Sequence, residues 1–314
     1  MIYILILIGF SLLIYGGNVL VDGAVAVARR LKVSPLLIGL TLVGFGTSTP
    51  ELMTSLFAAV MNKEGIAVGN VVGSNIANIL LVLGVAAAMS PIAVHRASFK
   101  RDSLFLLLST GVLVLALLCG RIGFLLGAVM CATLGYYVYY SYRTERKYGA
   151  KSAKAEEACA LPSTKAGSLG WPVLKTVLGL VLTIVGARML VINSVVLAER
   201  WGVSETIIGL TLVALGTSLP ELVTSIVASL KKQNSLVLGN VIGSNIYNAL
   251  FILGVTALFV PVEVPSNIAT NLTIMIFITG LLVYLGYQNK LTKRVGCLFC
   301  ALYILYVIYL ACCS

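Results

Sequence analysis

Two carboxylates lie inside apolar runs, each at the end of the same short motif. One reads Gly46-Thr47-Ser48-Thr49-Pro50-Glu51 and the other Gly216-Thr217-Ser218-Leu219-Pro220-Glu221. The offset is 170 residues. A second pair of blocks keeps it: Gly69-Asn70-Val71-Val72-Gly73-Ser74-Asn75-Ile76-Ala77-Asn78 and Gly239-Asn240-Val241-Ile242-Gly243-Ser244-Asn245-Ile246-Tyr247-Asn248. A carboxylate at membrane depth is costly and marks a functional site. Amides are costly in lipid unless they face a polar cavity. Ser74 and Asn78 stand four apart, on one helical face, as do Ser244 and Asn248.

These groups are hard oxygen donors. Calcium takes six to eight such oxygens; Glu51 and Glu221, both bidentate, would supply roughly four. Two backbone carbonyls near Thr47 and Thr217 bring the count to about six, and water, Ser or Asn completes the shell. The two negative charges balance one divalent cation. No Cys or His lies near the motifs, which disfavours soft transition metals.

The local chain is expected to expose carbonyls as well. Pro50 has no N–H and clashes with the carbonyl four residues back, so the helix should break before it. Gly44 and Gly46 ease that break. A half-helix ending near Gly44 would direct its negative dipole end into the gap. A competing account is the capping box, which Ser48-x-x-Glu51 and Ser218-x-x-Glu221 both fit. A Gln would cap as well without burying a charge, and the carboxylate occurs in both halves, so capping is not the whole account. For Gly69, Gly73 and Ser74 the competing account is close packing of small residues between membrane helices. We adopt it for the glycines, but it leaves the amides unexplained.

The elements that carry these motifs are membrane spans. Hydrophobic residues make up 59% of the chain and charged residues 11%, against about 25% charged in soluble domains. Mean hydropathy is +1.03. Apolar runs near the length of a spanning helix recur end to end, and they are continuous rather than alternating, which argues against a β-barrel. Ten spans are expected, at 2–28, 34–61, 66–89, 103–119, 122–141, 173–198, 204–230, 235–260, 268–286 and 294–312. Spans 2, 3, 7 and 8 carry the Gly, Pro and Ser interruptions and are read as broken helices. The N-terminus has no basic region and belongs to the first span, so no cleaved signal peptide is expected.

The net charge of +11 does not imply nucleic acid, because the basic residues sit in short loops. Seventeen Lys and Arg lie in the odd-numbered loops, against three on the other side: Lys63, Arg121 and Arg200. The positive-inside rule then puts the odd loops in the cytoplasm and both termini outside. Residues 1–141 form one five-span half, with its motif region at 39–89. Residues 171–314 form the other, with its motif region at 209–260. The polar segment 142–170 links them as a flexible or partly helical cytoplasmic tether. Five spans per half is an odd number, so the second half must run through the membrane in the opposite sense to the first. The fold class is therefore an all-α polytopic membrane protein built as two inverted five-helix repeats, the architecture of many secondary transporters.

The paired G-T-S-x-P-E and G-S-N-I-x-N blocks resemble the repeats of the sodium/calcium exchanger branch of the cation/calcium exchanger superfamily. The compact ten-helix prokaryotic calcium/sodium antiporters are similar over essentially the whole chain. The resemblance implies a central site with one calcium position flanked by sodium positions. Its ligands would be Thr47, Ser48, Glu51, Ser74, Asn78, Thr217, Ser218, Glu221, Ser244 and Asn248. Some members carry Asp where this chain has Asn248. The implied activity is export of calcium across the plasma membrane (the inner membrane of a Gram-negative cell), driven by inward sodium. Spans 1 and 6 would slide or rock against the other eight. Calcium and sodium are cargo, no cofactor is expected, and the functional unit is expected to be a monomer in the lipid bilayer.

Three other functions share parts of this pattern. Two close carboxylates could share a proton, which suits a proton-coupled calcium exchanger. Broken helices with buried acids also suit a cation channel, though inverted repeats around one central site favour alternating access. A membrane enzyme is disfavoured, since no nucleophile–base pair or metal triad occurs. Among the remaining residues, Asp22 lies two turns before Arg29 inside the first span and is a further candidate for transport. Arg188, in span 6, is read as snorkelling or internally paired. His95 is read as a solvated loop residue. Cys297 and Cys300 are read as ordinary apolar helix residues.

Overall fold

The computed structural model describes residues 2–94, 96–157, 169–201, 214–265 and 268–313. Helices dominate: α1 (Ile2–Leu31), α2 (Pro35–Thr47), α3 (Thr49–Val60), α4 (Glu64–Met89), α5 (Arg96–Leu118), α6 (Phe124–Glu157) and α7 (Gly170–Arg200) come first. Then follow α8 (Ala214–Thr217), α9 (Leu219–Leu230), α10 (Asn234–Phe259), α11 (Ala269–Tyr287) and α12 (Lys293–Cys313). Two short strands, β1 (Arg121–Ile122) and β2 (Val262–Glu263), pair antiparallel. Among the described residues eight helices are long and apolar enough to cross a membrane, and the bent pair α2–α3 makes up to nine. The expected seventh span begins at 204, and its stretch up to residue 213 lies outside the described residues.

The proline break falls later than expected. α2 runs on past Gly44 to Thr47, and the axis turns by 41° into α3. Gly44 keeps its partner, since the Ser48 amide donates to its carbonyl at 3.1 Å. Pro50 sits in the first turn of α3, where its missing N–H is tolerated. The chain therefore bends at Ser48 instead of parting.

The third and eighth spans, unlike the second, are not broken. α4 and α10 run continuously and widen into π-helix at Asn78–Leu83 and Asn248–Ile252. Neither block contains a proline, so nothing forces a break, and the irregularity takes the form of a wider turn. Such π-turns are frequent at functional sites. In both helices the wide turn begins at the motif's last Asn.

α4 and α10 form the centre. Their most apolar windows are 78% and 83% buried, against 33% for α1 and 17% for α7, which places the latter pair at the rim. α1 and α7 pack along a glycine seam of seven-residue spacing. A Cβ on Gly9, Gly16 or Gly23 would meet Leu190, Thr183 or Thr176 of α7; one on Gly179 or Gly186 would meet the α1 backbone at Leu20 or Leu13. With no side chain at those points the two backbones approach closely and interlock. At 30 and 31 residues each helix is about 45 Å long, longer than the roughly 30 Å hydrocarbon core, so both cross with a tilt.

The halves interlace by repeated contacts at the 170-residue offset. The end of α4 packs Gly84 against Cys300 of α12, and the end of α10 packs Gly254 against Met130 and Cys131 of α6. Ile92 donates its amide to Leu291 at 2.9 Å; the offset maps these two onto Val262 and Arg121, and Val262 pairs one residue along, with Ile122. Gly239 and Gly243 abut the backbone of Leu36 and Leu40. Gly69 and Gly73, expected to pack closely, have no described atom within 4 Å of a Cβ placed there. The residues that would mirror Leu36 and Leu40 are Thr206 and Leu210, outside the described residues.

A buried charged cluster fixes the start of α2. Arg101 binds Asp102 (2.6 Å) and Glu145 (3.2 Å), and these side chains are 9%, 0% and 5% exposed. Glu145 also accepts the Ser34 amide at 3.3 Å, and Asp102 accepts from Tyr137 at 3.4 Å. Glu145 lies in the segment expected to be a flexible or partly helical tether, and α6 carries helix into it as far as Glu157.

Asp22 is half exposed and is shared by two lysines. Lys231 approaches to 2.6 Å and Lys175 of α7 to 3.5 Å.

Candidate cation site

The bends carry the acids. Ser48 caps α3 by position and Ser218 caps α9, yet neither side chain bonds the helix it begins. Each hydroxyl reaches across to the other half instead. Ser48 Oγ donates to Glu221 Oε1 at 3.1 Å, and Ser218 Oγ donates to Glu51 Oε1 at 3.4 Å. The capping-box account thus fails in its first element: the hydroxyls that should cap are committed to carboxylates more than 160 positions away. Both Glu side chains are 1% exposed, and the two lie within mutual electrostatic reach. Thr217 and Thr47 lie beside Glu51 and Glu221 respectively.

The second blocks meet the first. Asn248 Nδ2 donates to Ser74 Oγ at 2.9 Å, and Ser244 Oγ donates to the Gly44 carbonyl at 3.5 Å. Thr47, Ser48, Glu51, Ser74, Asn78, Ser218, Glu221, Ser244 and Asn248 are all buried, and Thr217 is half buried. The four hydrogen bonds named above all join one half to the other and draw in seven of the ten expected ligands. Thr47 is an eighth, through a cross-half link from its Oγ1 to Asn240 Oδ1 at 3.3 Å, and Thr217 is placed by its nearness to Glu51.

The remaining valences have one polarity. Six buried side-chain oxygens of these motifs lack a hydrogen-bond donor: Glu51 Oε2, Glu221 Oε2, and the Oδ1 atoms of Asn75, Asn78, Asn245 and Asn248. They fall into three pairs at the repeat offset. A buried unsatisfied acceptor costs about 1–3 kcal/mol, more for a charged group. Oxygen acceptors without a donor are the kind of group a cation takes as ligands. Hard oxygens without thiolate or imidazole suit calcium and sodium. Among the described residues no three His, Cys, Asp or Glu gather into a metal cluster, so neutral oxygens must complete any coordination shell around the two carboxylates.

Four functional candidates were not singled out from the sequence. Asn75 and Asn245 own two of the free acceptors, and Asn245 Nδ2 also donates to the Asn75 carbonyl at 3.4 Å. Asn70 and Asn240 brace the acidic helices. Asn70 Nδ2 donates to the Glu51 carbonyl (3.1 Å) and Ser55 Oγ (2.9 Å). Asn240 Nδ2 does the same for Glu221 (3.4 Å) and Ser225 (3.0 Å). All four recur at the repeat offset inside an apolar helix, and that recurrence was the available signal.

The sequence matches the family described as sodium/calcium exchanger protein over residues 1–143 and 171–311. It is 35% identical to the inner membrane protein YrbG of Escherichia coli, covering 91% of this chain and 89% of the relative. It is 32% identical to the sodium/calcium exchanger MaX1 of Methanosarcina acetivorans, covering 88% and 91%. A solved structure of the sodium-calcium exchanger NCX_Mj, soaked with zero Na+ and Ca2+, superposes with a TM-score of 0.84 at 32% identity, covering 98% of this chain and 97% of that one.

Proposed function

This chain belongs to the sodium/calcium exchanger family, and from that premise we propose that it couples inward sodium to calcium extrusion by alternating access at the site between Glu51 and Glu221. It is a multi-pass membrane transporter of the cation/calcium exchange class and not an enzyme. The observation that carries the proposal is the set of six donor-less buried oxygens, paired at the repeat offset. One calcium ion neutralises the two carboxylates. Sodium ions can replace it by occupying the same oxygens, which makes binding of the two cations mutually exclusive and exchange obligatory.

In this reading the chain has ten spans in two inverted five-helix repeats. The segment 142–170 faces the cytoplasm, and both termini face outside. The basic loops support that orientation. The calcium ligands are Glu51 and Glu221, with Thr47, Ser48, Ser74, Asn78, Thr217, Ser218, Ser244 and Asn248 supplying neutral oxygens to calcium and sodium. The interlocked rim pair α1–α7 moves as one body against the buried centre. Its glycine seam joins the two helices more intimately to each other than to the rest. A single chain contains every element of this site, which supports a monomeric transporter.

The deciding experiment uses purified protein in lipid vesicles. An imposed sodium gradient should move labelled calcium uphill. Calcium movement that ignores sodium and follows a pH gradient would replace this reading with proton-coupled exchange. Passive calcium flux far above exchanger rates would replace it with a channel.

A further inference from the structure

Asn240 touches three residues, and together they fix how its amide is turned. The Glu221 carbonyl is a pure acceptor and lies 3.4 Å from one end of the amide, with Ser225 Oγ 3.0 Å from the same end. That end must be the NH2. The other end, Oδ1, faces Thr47 Oγ1 at 3.3 Å and can only accept. The Thr47 proton is therefore drawn toward this cluster of acceptors: the Val43 carbonyl at 3.0 Å, Asn240 Oδ1 at 3.3 Å and the Gly44 carbonyl at 3.5 Å. A hydroxyl whose proton is drawn off this way presents its lone pairs on the opposite side. Lone pairs are what a cation takes.

Asn70 is the repeat counterpart, and it carries only half of this arrangement. Its NH2 braces the Glu51 carbonyl and Ser55. Asn240 is also the more deeply buried of the two, at 1% exposure, whereas Asn70 is half buried.

We propose that Asn240 is a positioning residue that couples the two halves of the cation site: it aims the lone pairs of Thr47 from the first half while holding the Glu221 helix of the second. Asn70 braces the Glu51 helix, and among the described residues no matching bond joins it to Thr217, the counterpart of Thr47. The proposal rests on the cation-exchange reading of the site. It deepens that reading by assigning the coupling to a residue that need not touch the ion.

The test is a double-mutant cycle on the full chain, read by calorimetric calcium affinity and by the sodium concentration that displaces calcium. The variants are Thr47→Val, Asn240→Leu, Asn70→Leu, and the pairs that combine Thr47→Val with each Asn change. Thr47→Val should weaken calcium binding about tenfold, and Asn240→Leu by at least as much. Combining them should cost no more than Asn240→Leu alone, because the second change removes what the first acted through. Combining Thr47→Val with Asn70→Leu should multiply the two losses. Thr47→Ser, which keeps the hydroxyl, should bind as the wild type does. If Asn240→Leu does not fold, Asn240→Gln serves in its place, since it displaces the amide by one methylene, and the same non-multiplying pair is expected. Losses that multiply for Thr47 with residue 240 would overturn the proposal, as would Thr47→Ser behaving like Thr47→Val. These readouts are equilibrium binding, so they stand apart from the vesicle experiment. A wild type that binds calcium but ignores a sodium gradient would sink the coupling ion and leave the cycle to decide Asn240.

Discussion

Ser48 Oγ donates to Glu221 Oε1 across the pseudo-symmetric centre, and the mirrored bond runs from Ser218 to Glu51. Each acid is held by the hydroxyl at the other half's bend. The site therefore exists only when the halves are docked, and a change at one bend is felt by the carboxylate of the other.

The first prediction concerns the acids. Glu51→Gln and Glu221→Gln keep size and hydrogen-bonding reach but remove the charge that offsets calcium's lost hydration. Each should lower calcium transport at least a hundredfold, equal to about 2.7 kcal/mol. Ser48 and Ser218 do not cap their own helices, so the loss should come without a large drop in melting temperature. Initial calcium flux and a melting curve on the same preparations check this. Near-normal flux in either variant would remove that Glu from the site.

Asn248 supplies the second. Its Nδ2 donates to Ser74 and its Oδ1 has no donor. Asn248→Asp keeps the free oxygen, loses the donated bond and adds a third negative charge to the site. Calcium should still be transported, with tighter cation holding, slower release and a turnover several-fold lower. Flux against pH should become steeper between about 5 and 8 than in the wild type, because the two neighbouring acids now compete with a third for protons. Parallel pH profiles for the two proteins would place residue 248 outside the electrostatic reach of Glu51 and Glu221.

Asp22 ties the rim pair to the rest of the molecule. Lys175 belongs to α7, which should travel with α1, whereas Lys231 follows α9. Only the Lys231 link crosses the moving boundary. These groups are roughly a third to a half exposed, and an exposed pair is worth about 0–1 kcal/mol. Lys231→Met should change turnover by no more than about fivefold and leave calcium affinity unaltered. A shift in affinity larger than the shift in rate would mean that Asp22 communicates with the ion itself.

Two ion pairs of different burial give a stability contrast. Removing one partner of a buried pair costs about 3–5 kcal/mol, so Asp102→Ala should lower the melting temperature clearly. Arg121–Glu263 is more than 60% exposed on both sides, and Arg121→Ala should change stability by less than about 1 kcal/mol. Equal shifts would show that Arg101 is already satisfied by Glu145.

Much of this was legible in the chain because the repeat marks its own functional residues. The motifs at 46–51 and 216–221 located the acids, and the fixed offset located their partners. The bend was readable from Pro50, but its place was not. A proline states which carbonyl loses its donor, whereas packing decides where the axis turns, and here Ser48 N keeps Gly44 bonded. The π-turns after Asn78 and Asn248 had no readable signal, since no residue type forces a wide turn. Asn70 and Asn240 were visible as letters, yet their role depends on a carbonyl one helix away. The cross-half exchange of Ser48 and Ser218 was hidden for the same reason: the capping pattern is local, and the bond that defeats it spans 173 positions.

That span has a consequence for biogenesis. Glu51 enters the membrane long before Ser218 has been made, 167 positions later. At about 5–20 residues per second, synthesis leaves the first acid without its partner for roughly 10–30 s. The nascent first half must spend that interval with Glu51 either protonated, hydrated or held by the insertion machinery. Ribosome stalls placed in the 142–170 segment should therefore yield chains that are inserted yet readily degraded, and the vulnerability should end abruptly once α9 has been delivered.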